Sequence, residues 1–177
     1  INVNITNVAA PTISGITTIC AGQTTVLTAA AGFSQYNWSS GQNSQSITTG
    51  TSGTYTVTVT AANGCTRTAQ ATLTVNPIPV VNISGNTAIC PGTNTTLSVP
   101  SGATAYQWSP SGNTNSINVT SAGTYTVTVT QNGCPGTASI SVTTLPPPVP
   151  SISGASSFCV GGNTTLNAGN GYNSYAW

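Results

Sequence analysis

The chain has 177 residues, a hydrophobic fraction of 37% and a formal charge of +1 carried by Arg67, with no Asp, Glu, His, Lys or Met. General acid–base catalysis draws on His, Asp, Glu or Lys, and metal sites draw on carboxylate, imidazole or thiolate, so the composition argues against an enzyme and against a bound cofactor. The same neutrality leaves no basic field to attract nucleic acid or anionic lipid, and no apolar run is long enough to span a bilayer.

Thr, Val and Ile are abundant, and alternation of period two marks strands. The segment INVNITNV at 1–8 alternates in this way and corresponds to the last strand of a unit, so residues 1–10 read as the tail of a preceding repeat. In the unit that follows, 12–14 and 17–19 form a first strand broken at Gly15, 24–29 a second, 35–39 a third and 46–49 a short fourth. A long fifth strand at 54–60 places Tyr55, Val57 and Val59 on one face and threonines on the other. Asn63-Gly64 is a hairpin turn signal, and 66–75 is the last strand. The next stretch follows the same plan, with its turn at Asn132-Gly133.

The register of repetition is close. Cys20, Cys90 and Cys159 recur at intervals of about 70 residues, the spacing of a repeat array. Each is followed by a Leu (Leu27, Leu97, Leu166), then by a Tyr two residues ahead of a Trp (Tyr36 and Trp38, Tyr106 and Trp108, Tyr175 and Trp177). GTYTVTVT occurs at 53–60 and again at 123–130, followed by AANGC and QNGC. Pro-rich joints close the units (NPIP at 76–79, LPPPVP at 145–150) and favour extended, semi-rigid geometry. The organisation is therefore 1–10, the last strand of one repeat; 11–79 and 80–148, two complete repeats; and 149–177, the truncated start of another.

Several short strands per unit, separated by turn signals, predict an all-β chain of tandem β-sandwiches. Trp38 is expected inside the first core with Leu27, Ile47, Tyr55 and Val57. Trp108 takes the same place in the second, with Leu97, Ile117, Tyr125 and Val127. The alternative for these tryptophans is an exposed platform that stacks on sugar rings.

These residues resemble the Ig-like and PKD-like repeats of large secreted, type IX-secreted Bacteroidota cell-surface proteins. The shared signature is I-C-x-G-x-x-T-x-L, then Y-x-W-S, G-T-Y-T-V-T-V-T, N-G-C and a Pro-rich end. It covers both complete repeats and the third opening, where Phe158 replaces the Ile. PKD domains carry W-D-F-G-D-G after the core Trp. Here WSSGQN at 38–43 puts Ser and Gln where Asp would stand, which removes a carboxylate calcium site. The resemblance implies a non-catalytic array in an extracellular filament or long cell-surface adhesin, with copies of itself and a surface or glycan ligand as partners. The alternative is a spacer or carbohydrate-binding module of a secreted multidomain glycan-degrading enzyme.

The five cysteines read as a disulfide framework of an oxidising compartment. The expected pairs lie within repeats, Cys20–Cys65 and Cys90–Cys134, each closing a loop of about 45 residues worth ~4 kcal/mol. Cys159 would find its partner outside the sequence. The first cysteine of a unit precedes the second strand while the other follows a late hairpin, so the two can fall at opposite ends of a sandwich. A bridge between neighbours, such as Cys20–Cys134, is the alternative. N-glycosylation sequons at Asn4, Asn37, Asn82, Asn94, Asn118 and Asn163 are of the kind that Thr- and Asn-rich chains produce by chance.

Overall fold

The structure is a computed structural model that describes residues 8–177. The strand expected at 1–8 lies, apart from Val8, outside the described residues. All regular structure among the described residues is β, and no helix there is long and apolar enough to cross a membrane.

The first unit contains β1 (Ile13–Ser14), β2 (Thr18–Cys20), β3 (Thr25–Ala29), β4 (Gln35–Trp38), β5 (Ser46–Thr49), β6 (Gly53–Thr60) and β7 (Thr66–Asn76). One sheet has the order β1-β3-β5 and the other β2-β7-β6-β4. The second unit contains β8 (Ala88–Ile89), β9 (Thr95–Ser98), β10 (Ala105–Ser109), β11 (Ser116–Val119), β12 (Gly123–Gln131) and β13 (Cys134–Thr144). Its sheets are β9-β11, extended by a Ser84–Ser98 bridge, and β8-β13-β12-β10. Each unit is an Ig-like sandwich.

The break at Gly15 moves the first strand from one sheet to the other. β1 pairs antiparallel with β3, whereas β2 pairs parallel with β7. Gly15 turns the chain at φ +141°, and a Cβ there would stand 2.3 Å from the Val26 carbonyl oxygen. L-residues rarely adopt that conformation, so Gly is the residue that fits. Gly85 and Gly154 repeat the feature, at φ +144° and +146°. Downstream, Thr25 Oγ1 donates to the Ile16 carbonyl at 2.9 Å, which accounts for the buried Thr of the I-C-x-G-x-x-T motif.

The first core joins Leu27 and Ala29 of β3 and Ile47 of β5 to Trp38 of β4 and to Val57 and Val59 of β6. Both sheets contribute, so the indole lies between them. The second core gathers Ile89, Leu97, Val99, Trp108, Val119, Tyr125, Val127, Val129 and Val142. Trp38 and Trp108 are each 2% exposed, and each buried indole N–H reaches a carbonyl, Ser44 at 2.9 Å and Thr114 at 3.0 Å. Tyr125 is buried, while Tyr55 is half-buried against its core. The Tyr55 hydroxyl donates to the Thr51 carbonyl at 2.8 Å and the Tyr125 hydroxyl to the Ser121 carbonyl at 2.9 Å, each four residues upstream. Antibody-type sandwiches use a similar Tyr clamp beside a disulfide that ties the two sheets. Here the interior of each sandwich is aliphatic and aromatic, and the bridging cysteines lie elsewhere.

Residues 149–177 open in the same way. Ser153 pairs with Asn167, and Tyr175 donates to the Gly169 carbonyl at 3.0 Å. The counterparts of the buried Leu27 and Trp38, Leu166 and Trp177, are 47% and 76% exposed in this segment.

The stapled joint as candidate functional site

The most chemically distinctive feature lies where the two units meet. The parallel register sets Cys20 opposite Asn76, the last residue of β7, and Ala21 donates its N–H to the Asn76 carbonyl at 2.8 Å. The first cysteine of the unit therefore stands at the end from which the chain leaves. Cys65 directly precedes β7, at the hairpin end of the same strand. β7 has 11 residues, and at about 3.3 Å per residue the two cysteines lie some 35 Å apart. A disulfide needs Cα atoms within about 7 Å.

The within-repeat pairing is thus overturned. Cys20 is bonded to Cys134, 114 residues away, with Cα atoms 5.6 Å apart. The expected partners Cys65 and Cys90 are exposed and unbridged, as is Cys159. The same geometry separates Cys90 from Cys134. β8 runs parallel to β13 with Ile89 opposite Thr144, so Cys90 lies beyond the far end of the strand that Cys134 begins.

Cys134 reaches the joint on the tight β12–β13 hairpin, whose turn is Asn132-Gly133 with φ of 50° and 79°. The turn presses against the exit of the first unit. Asn76 Nδ2 donates to the Asn132 carbonyl at 2.9 Å, and the carbonyls of Gly133 and Asn76 each lie 3.9 Å from a bridge sulfur. Two residues past Cys134, Gly136 packs on the Pro79 carbonyl, where a Cβ would stand 2.2 Å away. The first unit has Arg67 at the corresponding place. The approach of the Pro-rich joint to β13 therefore requires a residue without a side chain. Cys134 ends up 1% exposed.

Residues 76–144 match the family model of the PKD-like domain. The matched span runs from the last residue of β7 to the last residue of β13, so it holds the joint and the whole second sandwich. No curated protein matches the chain. Among solved structures, murine CEACAM1b is similar at 14% identity over 77% of this chain and 100% of that one, with a TM-score of 0.42. The Sidekick-1 immunoglobulin domains 1–5 are similar at 16% identity over 83% and 40%, with a TM-score of 0.39. The Dpr11 IG1 complex with DIP-gamma IG+IG2 is similar at 11% identity over 77% and 99%, with a TM-score of 0.34.

The Cys20–Cys134 bridge covalently fixes one Ig-like sandwich against the next, and both indoles lie inside. The pairing carries a sequence signal: Cys20 and Cys65 fall at opposite ends of one long strand once the first strand is placed parallel to the last. The Gly two residues after Cys134 is the second sign, because it marks a close backbone approach.

Proposed function

We propose that the chain is a structural repeat array, the shaft of an extracellular filament or of a long cell-surface adhesin, and that it is non-catalytic. The observation that carries this reading is the Cys20–Cys134 bridge, which ties neighbouring units across their joint. A bridge placed there restricts bending between beads, and bending is what a shaft must resist. Disulfides persist in oxidising compartments, which supports an extracellular or surface location. The proposed units are 11–79 and 80–148, flanked by the closing strand of one repeat (1–10) and the opening of another (149–177), in a secreted protein of the Bacteroidota type IX class. Near-zero charge and the absence of Lys remove the usual defence of strand edges, so copies of the same chain are the proposed lateral partners.

The alternative is a spacer or carbohydrate-binding module beside a secreted glycan-degrading enzyme. Burial of Trp38 and Trp108 removes the stacking platform from both complete units, so this alternative reduces to its spacer form. Electron microscopy of the native material tests the proposal. Beaded threads support a shaft. Dispersed single molecules count against the filament, and retention on a polysaccharide column would favour the binding module.

A further inference from the structure

The cysteines left exposed repeat the two halves of the observed bridge. Cys90 follows β8 as Cys20 closes β2, beside the exit of its own unit. Thr144 pairs with Ile89, and Leu145 donates to the Ile89 carbonyl at 2.8 Å. The turn after each cysteine is also shared. Gln23, Thr93 and Gly162 donate N–H to the carbonyls of Cys20, Cys90 and Cys159 at 3.0, 3.1 and 2.9 Å. Leu145 replaces Asn76 here, so the side-chain bond to the incoming hairpin is not repeated, and an apolar side chain, 46% exposed, stands beside Cys90 instead. At the other end of the first unit, Cys65 follows an Asn-Gly turn as Cys134 does. That turn is held by Gly64 N–H on the Ala61 carbonyl at 2.9 Å.

We infer that Cys90 is the receiving half, and Cys65 the donating half, of further inter-unit staples, so that the two cysteines of each unit serve two different joints. The partner of Cys90 is the hairpin thiol of another PKD-like unit, and the partner of Cys65 is the exit-end thiol of a unit placed before it. What takes these positions beyond lone cysteines is the Cys20–Cys134 bond between their counterparts in the repeat, with the difference that Cys65 follows a turn one residue longer and has Arg67 where Gly136 stands. Each closure joins two sulfurs and releases two protons and two electrons. A disulfide oxidant, either a low-molecular-weight disulfide or a thiol oxidoreductase, takes up the electrons and is reduced to thiols. The inference rests on the repeat-array reading. It is separable from that reading, because a shaft with unbridged further joints fails the test below and still forms threads.

The test inserts a second copy of residues 80–148 between Pro148 and Val149 of the full chain. The inserted copy carries Cys90→Ser and is marked by Thr137→Ser, so its hairpin peptide differs in mass. After oxidation with glutathione disulfide, non-reducing peptide mapping should link the original Cys90 to the marked hairpin, beside the retained Cys20–Cys134 link. Retention of Cys20–Cys134 with Cys90 still open to alkylation overturns the inference, as does Cys90 joined to the unmarked Cys134 of its own unit. The unaltered chain supplies a check that does not depend on folding of the insertion. There, Cys65 and Cys90 should alkylate under native conditions while Cys20 and Cys134 stay protected, and a within-unit link refutes the idea. A Cys65–Cys90 linked dimer of the unaltered chain supports it and identifies a second copy as the source of the hairpin.

Discussion

Replacing both bridge cysteines, Cys20→Ser with Cys134→Ser, should lower stability and also uncouple the two sandwiches. With the second unit folded, Cys134 is held against Asn76, so unfolding the first unit opens a tethered loop of roughly 56 residues worth about 4 kcal/mol of chain entropy. The converse loop, from the joint to Cys134, is of similar length and worth about the same. Opening both units releases one loop with a separation of 114 residues, worth only about 5 kcal/mol in total. The staple therefore opposes loss of either unit by about 4 kcal/mol, and once one is lost it adds only about 1 kcal/mol for the other. That asymmetry links the transitions. Calorimetry in a Cys65→Ser, Cys90→Ser, Cys159→Ser background should give a single unfolding peak. Removing Cys20 and Cys134 as well should split the peak and lower its midpoint by roughly 15–30 °C, at 4–8 °C per kcal/mol for domains of this size. An unchanged midpoint would refute the reasoning. So would a comparable drop on going from wild type to Cys65→Ser with Cys90→Ser.

Trp108→Ala should cost about 3–5 kcal/mol, measured by urea unfolding, because it empties the centre of the second core. Trp108→Phe should cost less and still remove the indole N–H bond to the Thr114 carbonyl. Gly136→Ala sets a methyl group against the Pro79 carbonyl and should slow formation of the Cys20–Cys134 bond in a glutathione buffer, followed by thiol counting. Gly85→Ala should destabilise the second unit by at least about 2 kcal/mol, since it combines a strained φ with a Cβ 2.5 Å from the Thr96 carbonyl. Gly123→Ala, whose Cβ would meet nothing nearer than 3.9 Å, is the neutral control for both. With no Asp, Glu, His or Lys in the chain, the melting temperature should stay flat between about pH 4 and 8, and a scan that slopes steeply across this range would contradict that expectation.

The strands were legible because their signal is local. Alternation in TYTVTVT, the Asn-Gly turns and the break at Gly15 fixed most boundaries to within a residue or two, and the parallel repeats allowed each reading to be checked against its twin. The pairing of cysteines was not legible in the same way. It depends on a non-local fact, that β2 lies parallel to β7, which sends Cys20 to the opposite end of the unit from Cys65. Counting residues between cysteines measures chain length, whereas a disulfide responds to distance in space. Placement of the two positions at opposite ends of a unit follows from that strand order, and the close Gly136–Pro79 approach turns it into a contact between units.

The position of the bridge also decides what happens if the backbone is cut. Ile78 lies in the short connector and is 48% exposed, within reach of a protease. A break there parts the polypeptide, yet Cys20 on one fragment still holds Cys134 on the other. The severed molecule keeps its length, carries tension through sulfur, and reveals the wound only to a reductant.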